Sequence, residues 1–95
     1  MIKVVAKSKI KPECTEQYKT VVKELIEETR KEAGNISYTL NVSKSDEYLY
    51  AMIEVWEDQK SLDAHLASEH FRRIIPQLGP LTEGGSPLEI YEELI

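Results

Sequence analysis

Apolar and polar residues alternate at the start of the chain. Ile2, Val4, Ala6, Ser8 and Ile10 fall on one face, and Lys3, Val5, Lys7 and Lys9 on the other. A period of two over residues 2–11 predicts a β-strand, and Pro12 ends it. The period then changes. Tyr18, Val21, Val22, Leu25, Ile26, Thr29 and Ala33 recur at three- and four-residue spacing, which predicts an amphipathic helix over 15–33. Gly34 stands where a left-handed helix exit wants a residue without Cβ. Alternation returns over 36–42, with Ile36, Tyr38, Leu40 and Val42 on one face, and again over 48–56. In that third strand Tyr48, Tyr50, Met52 and Trp56 share a face with Glu54, while Leu49, Ala51, Ile53 and Val55 share the other. Asp58 and Ser68 are N-cap types, so two short helices follow, one carrying Leu62, His65 and Leu66, the other Phe71, Ile74, Ile75 and Leu78. Gly79-Pro80 stops the second. Residues 81–87, which hold Gly84-Gly85-Ser86-Pro87, read as a loop, and 88–94 as a last strand.

The order β-α-β-β-α-β predicts an α+β, ferredoxin-like fold: an antiparallel four-stranded sheet with helices on one face. The other face of the sheet is then bare, although the third strand is apolar on both sides. Burying Leu49, Ala51, Ile53 and Val55 would contribute on the order of 5 kcal/mol. A homodimer packed through these sheet faces is therefore expected.

The 95 residues fit a single domain over 1–95, and 41% hydrophobic with 31% charged residues suits a folded chain. The formal net charge of −5, with Arg72-Arg73 as the one adjacent arginine pair, argues against a nucleic-acid partner. No apolar run is long enough for a membrane span, and the first residues read as a strand and not as a leader, so the expected location is cytoplasmic. One cysteine, Cys14, excludes an intrachain disulfide.

Chemistry-bearing side chains gather in one ordered set: Gly34-Asn35-x-x-Tyr38, Glu54-x-Trp56 and His65-x-x-x-x-His70-Phe71. These pieces fall at a helix exit, on a strand and across a helix break, and surround a hydrophobic interior. Asn35 is expected to complete the turn after Gly34. His65 and His70 are five residues apart, about 140° around a continuous helix, and no third ligand stands out, so no metal site is expected. Gly84-Gly85 precedes a strand and not a helix, so no nucleotide site is expected.

The set, extended to Thr29-Arg30-x-Glu32-x-Gly34-Asn35-x-Ser37-Tyr38, Glu54-x-Trp56-x-Asp58 and Leu62-x-x-His65-x-x-Ser68-x-His70-Phe71, resembles the antibiotic biosynthesis monooxygenase superfamily of dimeric α+β barrels, including its small quinol-oxidising members. The resemblance implies a pocket between sheet and helices. It also implies oxygenation of an electron-rich aromatic by O2 with no cofactor. A deprotonated quinol or polyphenol is itself an electron donor to oxygen, so the protein needs a base, a dry apolar slot and donors that hold the anion. His65 is the leading candidate base, because its ordinary pKa suits proton transfer near neutrality; the plain alternative is a packed histidine at the helix break. Glu54 is expected either to orient His65 or to pair with a cation on the sheet. Tyr38 offers a hydroxyl donor or is core. Trp56, Phe71, Leu40 and Ala6 are the expected substrate-binding residues. Haem-degrading relatives carry Asn, Trp and a haem-ligating His where this chain has Ala6, His65 and Ile75, so haem is not expected.

Two other functions fit the same residues. One is an isomerase of a small hydroxyketone or sugar phosphate, with His65 and Glu54 shuttling a proton and Arg72 and Arg73 as phosphate donors. The other is a non-enzymatic dimer that binds a hydrophobic metabolite.

Overall fold

The computed structural model describes residues 1–85 and 88–95. Five strands, β1 (Ile2–Ile10), β2 (Asn35–Val42), β3 (Leu49–Trp56), β4 (Thr82–Gly85) and β5 (Glu89–Glu92), combine with three helices, α1 (Thr15–Thr29), α2 (Gln59–Leu66) and α3 (Glu69–Leu78). The sheet order is β2-β3-β1-β4, and β5 also pairs with β1. All the pairings are antiparallel. The α+β, ferredoxin-like architecture thus holds, with one refinement. The expected last strand is two short strands sharing one edge of β1: β4 pairs with Ser8–Ile10 and β5 with Ile2–Val5.

The alternation of β1 and β3 sets the layers. Ile2, Val4 and Ile10 of β1 and Tyr50, Met52 and Trp56 of β3 are buried in one cluster with Tyr18, Val22 and Leu25 of α1, Leu62 of α2, and Ile74 and Leu78 of α3. That face meets the helices. On the opposite face Leu49, Ala51 and Val55 are half-buried and Ile53 is 43% exposed.

Three expected details change. The first helix ends at Thr29 and not Ala33: its last turn tightens, with Lys31 N–H donating to Glu28 C=O and Glu32 N–H to Thr29 C=O. Bonds of this i→i−3 kind shorten the turn, and Gly34 at φ +85° reverses the chain into β2. In β2 the register shifts between Asn35 and Ser37, which leaves Ile36 48% exposed, and Val42 is exposed at the strand end. Only Tyr38 and Leu40 of the four expected residues turn inward. Within the expected loop Thr82–Gly85 form β4, with Gly84 and Gly85 opposite Lys9 and Ser8. A Cβ on Gly85 would sit 2.9 Å from the Lys7 carbonyl, so glycine here serves close strand approach. Ser86 and Pro87, the rest of the expected loop, lie outside the described residues.

Both expected caps form. Asp58 Oδ1 accepts from Ser61 N–H at 2.8 Å, and Ser68 Oγ accepts from Phe71 N–H at 3.3 Å. Each side chain satisfies one of the free N–H groups at a helix start. Among the described residues no helix is long and apolar enough to cross a membrane.

Candidate active site

The sheet, α1 and α3 bound a half-open cavity of about 290 Å³. Ala6 of β1, Tyr18 of α1, Tyr38 of β2, Glu54 of β3, and Phe71 and Ile75 of α3 form much of its wall. Its volume is near the lower end of ordinary small-molecule sites, roughly 300 Å³. No Lys, Arg or His is among its described lining residues.

Glu54 is the one acidic group on this wall and is 4% exposed. It lies opposite Tyr38 on β2 and Val4 on β1. Its Oε1 accepts from Trp56 Nε1–H at 3.1 Å. Among the described residues its other oxygen has no hydrogen-bond partner. Burial pushes its pKa up to about 7; the Trp56 N–H opposes this and the Glu32 carboxylate adds to it. A carboxyl there exchanges its proton near neutrality, as a general base must. Burial, and secondly the Glu54 charge, push the neighbouring Tyr38 hydroxyl well above its ordinary value, so Tyr38 remains a proton donor.

His65 is 1% exposed and does not reach the cavity wall. It stands behind the wall, with ring centroids 4.7 Å from Trp56, 5.0 Å from Phe71 and 5.4 Å from Tyr38. Its Nδ1 lies 2.8 Å from Glu32 Oε2, and His70 Nε2 lies 2.7 Å from the same oxygen. A carboxylate oxygen only accepts, so both imidazoles present N–H to it. A neutral His65 then has a bare Nε2, and that buried atom has no partner among the described residues. Burial outweighs the Glu32 carboxylate and lowers the His65 pKa, which favours this neutral form.

Sequence reasoning quoted Glu32 within the family resemblance but gave it no role in the site. It sits in a run of charged residues that reads as a solvated helix face, and its partners are 33 and 38 positions away. Glu32, His65 and His70 are donor types that transition metals accept, and their donor atoms lie within 4.8 Å of one another. Yet the two Glu32–His separations are hydrogen-bond lengths. They are shorter than the ~3.4 Å between neighbouring ligands of a tetrahedral ion with ~2.1 Å bonds.

The other expected residues divide. Ala6, Tyr38, Glu54 and Phe71 line the cavity together. Trp56 is fully buried behind it, and Leu40 faces a separate shallow groove with Lys19 and Tyr50. Asn35 opens β2 and its side-chain amide donates to Ser37 C=O at 3.2 Å, bracing the bulge. Arg73 is tied on the surface to Glu24 and Glu69, each at 2.7 Å, and neither it nor Arg72 is at the cavity.

This arrangement of elements has counterparts in known proteins. The model of the family described as "Antibiotic biosynthesis monooxygenase" matches residues 1–77. The chain belongs to the antibiotic biosynthesis monooxygenase family. It is 31% identical over 75 residues to the Bacillus subtilis protein named "Putative monooxygenase YcnE", covering 79% of each chain. A conserved protein from Methanosarcina mazei Go1 shares 38% identity at a TM-score of 0.95, over 98% of this chain and 92% of that one. A solved structure titled as an antibiotic biosynthesis monooxygenase shares 33% identity at a TM-score of 0.90, over the full length of both.

Proposed function

We propose that this chain is a cofactor-independent monooxygenase that oxidises a small phenol or quinol with O2 in the cavity between sheet and helices. One observation carries the reading: Glu54 is a buried, half-liganded carboxyl with a pKa of about 7 on the wall of an aromatic-lined cavity. Glu54 takes the first proton from the substrate, and Tyr38 donates a hydrogen bond to the oxyanion so formed. The anion gives electrons to O2 against a mostly apolar wall, and the bound substrate itself displaces water from it. Balanced, a ring CH2 (the keto form of a phenol) plus O2 gives a ring C=O plus water. The aromatic carbon supplies all four electrons, so no external reductant is required.

This reading moves the first base from His65 to Glu54. His65 Nε2 is buried and His65 is not among the cavity's lining residues, so in this reading it packs behind Tyr38 and Phe71 and keeps the wall in place. A two-fold dimer through the bare sheet face belongs to the same proposal. So does a partner list of an aromatic small molecule and O2, with no nucleic acid. The sugar-phosphate reading is weaker, because its cations are not at the cavity.

The test is oxygen uptake with a panel of reduced quinols and polyphenols. Wild type should consume oxygen above the chemical background, Glu54→Gln should lose most of that rate, and His65→Ala should retain more of it. Equal rates in wild type and Glu54→Gln with every substrate would defeat the proposal, and anaerobic turnover of a hydroxyketone would favour the isomerase.

A further inference from the structure

Two carboxylates stand at the ends of one line of contacts. Glu32 Oε2 holds His65 Nδ1 at 2.8 Å. The His65 ring lies on the Trp56 indole, with centroids 4.7 Å apart and planes inclined at 37°. Trp56 Nε1–H then donates to Glu54 Oε1 at 3.1 Å. Every link is buried except the Glu32 end, where the side chain is 15% exposed. Trp56 and His65 have no other polar attachment that fixes their side chains among the described residues, apart from these bonds.

We infer that Glu32 is a positioning residue for Glu54, acting through His65 and Trp56. The inference rests on the reading of Glu54 as proton acceptor. A neutral imidazole can rotate about its χ2 bond, but one held by a charge-assisted hydrogen bond cannot do so freely. The fixed ring braces the indole face. The indole N–H can then meet only one Glu54 oxygen, and the other is directed to the cavity. A direct electrostatic effect runs the same way, since the Glu32 carboxylate disfavours a second negative charge at Glu54. The groups that face Glu54 are Tyr38 from β2, Tyr18 from α1, Glu32 from the turn after α1 and His65 from α2, with His70 of α3 behind His65. No Lys or Arg is among them.

Trp56 is the one tryptophan of the chain, so its fluorescence reports on both ends without turnover. In wild type the emission should titrate with a midpoint near the Glu54 value, and Glu54→Gln should abolish that transition. Glu32→Gln should move the midpoint about half a pH unit lower or more, and Glu32→Asp, which keeps the charge but is one methylene too short to hold His65, should leave the midpoint near wild type but broaden or weaken the transition. His65→Asn retains an N–H for Glu32 but removes the ring, and should broaden or weaken the transition. In oxygen uptake, the pH–rate profile of Glu32→Gln should shift with the fluorescence midpoint. A Glu54-dependent transition that keeps its wild-type shape in both Glu32→Asp and His65→Asn would overturn the relay and leave Glu54 as base. A transition that moves as expected while Glu54→Gln still turns over at the wild-type rate would sink the base assignment and leave the relay. Absence of any Glu54-dependent transition would sink both.

Discussion

Trp56 donates its indole N–H to Glu54 at 3.1 Å, and the two stand two residues apart on the inward face of β3. Strand geometry puts residues i and i+2 on one face about 7 Å apart along the chain, so only long side chains can close that gap. The bond leaves Glu54 with one satisfied oxygen and a proton affinity set mainly by burial.

A stability effect with a definite sign results. The folded chain holds the Glu54 proton up to about pH 7, whereas an unfolded glutamate releases it near 4.5. Between those values the folded state binds more protons, so stability falls as pH rises, by something of order 3 kcal/mol. Glu54→Gln removes that loss. Urea unfolding should find the variant about as stable as wild type at pH 4 and more stable at pH 8. Wild-type turnover should rise through pH 7 and level above it.

Tyr38→Phe tests the donor on the opposite strand. The Tyr38 hydroxyl stays protonated throughout the working range, and its loss removes one hydrogen bond to the developing oxyanion. Turnover number should fall about tenfold to a hundredfold, with a much smaller change in KM. A fall confined to KM would mean that Tyr38 only binds substrate.

Gly34→Ala should destabilise the fold. Gly34 has φ +85°, and a Cβ there would lie 2.1 Å from Ser61 Oγ and 2.6 Å from Ser61 Cβ. The left-handed conformation alone costs about 1 kcal/mol, and the clash adds to it. In chemical denaturation Ser61→Gly should recover the clash but not the backbone cost.

The bare sheet face gives a fourth test. Ile53 stands at its centre, 43% exposed, beside half-buried Ala51 and Val55. If two copies pair through this face, Ile53→Glu should convert the dimer to a monomer in light scattering while circular dichroism is unchanged. A wild-type chain that is monomeric at high concentration would remove the proposed dimer.

The layers were legible because β1 and β3 obey a strict alternation and α1 a strict helical period. The caps were legible because Asp58 and Ser68 act on N–H groups three residues away. What escaped depends on distance or exception. Ile36 matches the pattern of its strand but falls at a bulge. Gly84 and Gly85 look like a loop, because a rule that reads glycine as freedom misses its use for close strand packing. Glu32 looked solvated, because one dimension does not show that α2 and α3 bring two imidazoles to it. Among the site residues, a shared strand face put Tyr38 and Glu54 at the cavity. The pattern could not tell that Trp56 and His65 sit one layer behind.

Ser68 joins more than it caps. Its Oγ donates to the His65 carbonyl at 2.6 Å, receives the Phe71 N–H, and lies 3.2 Å from His70 Nε2. One hydroxyl therefore sets the bend between α2 and α3 and, with it, where both histidines and a wall aromatic come to rest. Such a junction cannot drift one residue at a time. The cavity rim lies outside this junction: Ile75 and Leu88 are 37% and 41% exposed there and answer to no shared pin.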